Sequence, residues 1–88
     1  MTAEFAIRTS DQLTGLLQAY RTESGLTQSQ VAERMGLTQQ KLSHLERYAQ
    51  NASAERLLAL LSVLGVEMVL RRREPAERTE AALKPHPW

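Results

Sequence analysis

The sequence contains no cysteine, which excludes a disulfide framework and a thiolate metal site and fits a reducing compartment. Only four residues are aromatic and only two are histidines. His44 and His86 lie far apart in different segments, too few for the roughly four ligands of a metal centre. No apolar run approaches the ~18 residues that a membrane-spanning helix requires. The first residues lack the basic-then-apolar pattern of a secretory signal. The chain has no pairing of histidines with carboxylates and no glycine-rich phosphate loop, so catalysis is not expected. Together these absences lead us to expect a soluble cytoplasmic protein that needs no cofactor or metal and makes no use of a membrane.

Charge of one sign is also scarce. The net charge is only +1, weak for a nucleic-acid binder. Its distribution is uneven: residues 1–70 carry six Lys/Arg against seven Asp/Glu, and residues 71–88 carry five against three. Any affinity for a polyanion must therefore come from local placement on one face.

What is present suits one small domain. The 88 residues are 42% hydrophobic, enough for a core, and a domain of this size gains from oligomerisation. Thr9 or Ser10 is expected to cap a first helix, with Thr9-x-x-Gln12 as a possible capping box. Leu13, Leu16, Leu17 and Tyr20 then recur at helical spacing, and Gly25 ends the helix. Thr27 caps a second helix with Gln30 in the reciprocal position. Val31, Ala32 and Met35 face inward, and Gly36 makes a turn that a side chain would obstruct. Thr38 caps a third helix running to about Glu46 or Arg47. Residues 48–52 read as a loop. Ser53 caps a fourth, leucine-rich helix stopped by Gly65, with Glu55 in its first turn complementing the dipole.

From residue 66 the period changes to two. Val66, Met68 and Leu70 alternate with Glu67, Val69 and Arg71, the pattern of a strand. A lone strand cannot satisfy its own backbone groups. Residues 66–71 are therefore expected to pair with a second copy, with Val66, Met68, Val69 and Leu70 forming the dimer contact. Arg71-Arg72-Arg73 suits a solvated strand end, a DNA-backbone contact or a partner contact. Residues 1–73 are thus read as one domain and the polar, proline-punctuated 74–88 as a flexible tail. Trp88, at its end, suits either an interface anchor for a partner or a disordered terminus.

The third helix carries the most chemistry. At about 100° per residue, with Gln39 at zero, Ser43, Arg47, Gln40 and His44 fall near 40°, 80°, 100° and 140°, and Leu45 and Leu42 near 240° and 300°. The leucines anchor the helix, and Gln39, Gln40, Ser43 and His44 are presented outward as candidate base readers. A glutamine amide offers a donor and an acceptor together, matching adenine N6 and N7 in a major groove. Thr27 and Gln28 begin the second helix, where backbone N–H groups and the dipole favour a phosphate. Thr38, Lys41 and Arg47, and also Arg34, are candidates for further phosphate contacts.

The spaced set Arg21…Gly25-x-Thr27-Gln28-x-x-Val31-Ala32-x-x-Met35-Gly36-x-Thr38-Gln39-x-x-Leu42-Ser43-x-x-Glu46 resembles the helix-turn-helix of the phage-repressor and Cro-like (XRE-type) family. The resemblance covers roughly residues 10–65. It implies an all-α, lambda-repressor-like four-helix domain, to which the C-terminal dimer-pairing strand is added. It also implies phosphate binding at Gln28, base contact at Gln39, Gln40, Ser43 and His44, and a salt bridge between Arg21 and Glu46. His44 departs from the amide or small polar residue usual there.

Within that family the length, the single strand, the short tail and the terminal tryptophan are similar to the HipB-type antitoxins. That resemblance implies a homodimer on a palindromic double-stranded operator, autorepression, and a HipA-like kinase toxin as partner. The alternative is a phage-type or stand-alone regulator without a toxin.

Overall fold

The computed structural model, which describes residues 4–73, has four helices. They are α1 (Gln12–Ser24), α2 (Gln28–Met35), α3 (Gln39–Arg47) and α4 (Ala54–Leu64), with one 3-10 turn at Ala49–Asn51 before α4. Three of them start on a side-chain oxygen. Thr27 accepts from the Gln30 N–H while the Gln30 side chain accepts from the Thr27 N–H, completing a capping box. Thr38 and Ser53 accept from Lys41 and Arg56 in the same way. Each such cap contributes ~1 kcal/mol.

The start of α1 differs from expectation. Asp11, already in helical conformation, occupies the N-cap position without a side-chain cap. Only the reciprocal half of the expected box exists: Gln12 Oε1 accepts from the Thr9 N–H at 3.0 Å. The Thr9 hydroxyl instead bonds Asp11, and this holds the Asp11 carboxyl below its ordinary value. Residues 9–13 enter the helix through short-range bonds, Gln12 N–H to the Thr9 carbonyl and Leu13 N–H to that of Ser10.

Leu17, Val31, Ala32, Leu42, Leu45, Ala49, Leu60 and Leu64 form the buried core. α2 packs against α3 and α4, while α1 lies across α3, α4 and the 3-10 turn. Leu42 and Leu60 are completely buried, and truncating either to alanine costs about 2–5 kcal/mol. The stretch read as a loop at 48–52 contributes to this core: the 3-10 turn drives Ala49 to full burial.

The turn between α2 and α3 needs Gly36 for a different reason than expected. A Cβ there would meet nothing within 4 Å, so no side chain is obstructed. What glycine supplies is φ of +72°, a left-handed conformation costing other residues about 1–2 kcal/mol. It lets the Leu37 N–H bond the Ala32 carbonyl at 2.8 Å, satisfying a helix end that would otherwise lack a partner.

No strand forms among the described residues, and 66–73 have no regular structure in the single chain. The Val66 N–H closes α4 on the Leu61 carbonyl, and its side chain packs on the core. Beyond it Met68, Val69 and Leu70 are 49%, 71% and 92% exposed. A strand's hydrogen-bond partners lie outside its own segment, so pairing across a dimer is a property of two copies. At the other terminus, Phe5 meets Tyr20 edge-to-face at 5.9 Å, and Glu4 pairs with Arg71 at 3.3 Å. Residues 74–88, including the tail and Trp88, lie outside the described residues.

Candidate nucleic-acid interface

α3 is amphipathic in a way that decides its use. Leu42, Leu45 and Glu46 are buried, while Gln39, Gln40, Lys41, His44 and Arg47 are exposed and Ser43 is half-buried. The structure thus brings Gln39, Gln40, Ser43 and His44 to the outer side of one helix, with Arg47 beyond them. Thr38 spends its side chain on capping α3, and its exposed position leaves it beside the same face.

The buried carboxylate of Glu46 fixes how α3 sits. Arg21 Nε of α1 donates to Oε2 at 2.7 Å, and Gln28 Nε2 of α2 donates to Oε1 at 3.1 Å. Arg21 and Glu46, expected as a salt bridge, are therefore brought together, with side-chain exposures of 18% and 1%. Two charge-assisted bonds offset the desolvation of a charge at this depth. Among the described residues no buried side-chain polar atom lacks a partner. Gln28, expected to face phosphate, has one amide hydrogen on Glu46; the nitrogen carries a second. The amide is thus tied to the buried pair, with one hydrogen left over.

Besides the Gln28–Glu46 bond, three further contacts around this face are not apparent from the sequence. Ser29 Oγ donates to Gln39 Oε1 at 2.9 Å, joining the starts of α2 and α3. Thr14 Oγ1 donates to the Arg47 carbonyl at 3.2 Å, tying the end of α3 to α1. The Tyr48 ring lies 4.7 Å from that of His44, tilted by 48°. A helical wheel of α3 alone could reveal the i, i+4 spacing of His44 and Tyr48, but not contacts arriving from α1 and α2. Beside this face, an open groove runs between α3 and the start of α4. Gln40, Lys41, His44, Tyr48, Asn51 and Arg56 are among its lining residues, which adds Arg56 to the cations near α3.

Among the described residues no cluster of potential metal ligands occurs, and no helix is long and apolar enough to cross a membrane. The exposed donors and acceptors of α3, with cations flanking them, match the edges of base pairs and the phosphates around them.

Comparison with known proteins points the same way. Residues 17–70 match the family model HTH_3, helix-turn-helix. A relative from Sinorhizobium fredii (strain NBRC 101917 / NGR234), described as the uncharacterized HTH-type transcriptional regulator y4dJ, is 47% identical over 49 residues. That match covers 56% of this chain and 64% of the relative, so the chain spans less than two thirds of the relative's length. Among solved structures, a chain described as part of a HipB-O1-O2 complex superposes with a TM-score of 0.71 at 26% identity. The superposition covers 78% of this chain and 100% of that one.

Proposed function

The chain belongs to the HTH_3 helix-turn-helix family, and from that premise we propose that it is a sequence-specific DNA-binding transcriptional repressor. One observation carries the reading. The inner side of α3 is locked by Leu42, Leu45 and Glu46, and its outer side presents Gln39, Gln40 and His44 to solvent with Ser43 half-buried beside them. A helix held rigidly with an amide-rich face is suited to the major groove. Thr27, Gln28, Thr38, Lys41 and Arg47 hold the phosphates that set the register.

The working unit is a homodimer in the cytoplasm. Residues 66–71 of two copies pair as strands, and Met68, Val69 and Leu70, exposed in one copy, are covered by the other. Two reading helices then lie about 34 Å apart, one DNA turn, on a palindromic operator. Quantitative footprinting and fluorescence anisotropy on the promoter upstream of the gene test this. Protection of a two-fold symmetric site by two copies is expected; equal affinity for unrelated duplexes at physiological salt overturns it.

The likeness to a HipB chain at a TM-score of 0.71 supports a further role as antitoxin of a HipA-like kinase toxin, with autorepression of the shared operon. Trp88, outside the described residues, is the proposed anchor for that partner. Pull-down from the native host should recover a kinase-like protein, and removing residues 75–88 should weaken the capture. Recovery of no such partner leaves the stand-alone regulator, which shares the DNA-binding mechanism.

A further inference from the structure

α2 touches α3 near both of its ends. Gln28 reaches Glu46 in the last turn, and Ser29 reaches Gln39 at the first residue. The two contacts differ in burial. The first lies against a carboxylate only 1% exposed. The second joins two exposed side chains, so it adds little to stability. Its consequence is directional.

The Gln39 amide has one acceptor oxygen and one nitrogen with two N–H donors. The Ser29 hydroxyl donates to the oxygen at 2.9 Å. Ser29 lies in the first turn of α2, which begins at Gln28. The positive end of that helix favours an amide oxygen over an amide nitrogen on its side. The Ser29 bond occupies one of the two lone pairs of that oxygen and biases it toward α2, while the nitrogen keeps both hydrogens for the groove. A freely rotating glutamine suits adenine, whose edge offers the acceptor N7 and the donor N6. A glutamine held nitrogen-outward suits an edge made of acceptors: guanine N7 and O6, or thymine O4.

We propose that Ser29 is a positioning residue that sets the base preference of Gln39, directing it to guanine or thymine and away from adenine. The inference rests on the proposed base reading by Gln39. It assigns part of the DNA specificity to a residue outside the reading helix.

The test is selection from a pool of randomised duplex DNA with the full chain, sequenced after enrichment. It is run for the native protein, Ser29→Ala, Ser29→Thr, Gln39→Ala and the Ser29→Ala/Gln39→Ala double variant. The half-site position altered by Gln39→Ala should carry guanine or thymine in the native selection. Ser29→Ala should raise adenine there about tenfold and leave the other positions and Tm unchanged. Ser29→Thr, which keeps the hydroxyl, should retain the native preference. The double variant should select as Gln39→Ala does, because Ser29 acts only through Gln39. A native preference for adenine at that position overturns the proposal. So does an unchanged preference in Ser29→Ala, and so does a uniform loss of affinity, which would make Ser29 a phosphate contact. A Gln39→Ala variant with no altered position overturns base reading by Gln39 itself, and the inference with it.

Discussion

The α2–α3 unit and the segment after α4 treat their polar and apolar groups in opposite ways. Between Thr27 and Arg47 the contacts are made within one chain. Caps close both helix starts, and the one buried charge is met by Arg21 and Gln28. From Met68 to Leu70 the apolar side chains stay open to solvent, with Leu70 at 92% exposure and no strand partner among the described residues. One region is finished by folding; the other leaves large apolar side chains exposed. The difference separates two requirements of the proposed dimeric repressor. A base-reading surface must be rigid before DNA arrives, because ordering it on contact would cost affinity. A dimer contact must stay available until another copy is met.

This contrast breaks in a definite order. Arg21→Ala leaves the Glu46 carboxylate buried with only Gln28 as partner. It should cost about 3–5 kcal/mol, read as a lower midpoint in denaturant; a loss below ~1 kcal/mol would mean that the α2–α3 unit is not held this way. Leu70→Glu should leave the far-ultraviolet helical signal intact and yield monomers in sedimentation. Affinity for a two-half-site duplex should then fall about a hundredfold as bivalent binding is lost. A Leu70→Glu dimer of native affinity would close the supposed difference between the regions. Gln40→Ala should cost roughly 1–3 kcal/mol of discrimination at one position of each half-site, with unchanged stability. Arg47→Ala should have the smallest effect: equal weakening on all sequences in binding titrations, and a salt slope flatter by about one.

The finished region was also the more legible one. Thr27, Thr38 and Ser53 announce helix starts because a cap is a local bond, three residues long. Leu42 and Leu45 announce the inner side of α3 because helical period alone fixes their direction. Legibility fades as contacts become non-local. Ser29 to Gln39 and Gln28 to Glu46 span 10 and 18 residues and depend on how α2 and α3 cross. Ala49 sits in a short stretch with no repeating pattern, yet its small side chain is what permits close packing at the 3-10 turn. Asp11 replaced the expected cap at Thr9 or Ser10 because neighbouring polar residues compete for one helix start on near-equal terms. For residues 66–71 the alternation signals a strand, yet no regular structure forms there in the single chain, because a strand needs hydrogen-bond partners outside its own segment.

The inner grip on α3 has a consequence for descent as well as for structure. Only Leu42, Leu45 and Glu46 are committed to the interior; Gln39, Gln40 and His44 touch nothing that the core depends on. Substitutions at those outer sites can accumulate without endangering folding. A duplicated gene could therefore acquire a new operator and escape cross-talk with its parent, while each copy keeps the same scaffold.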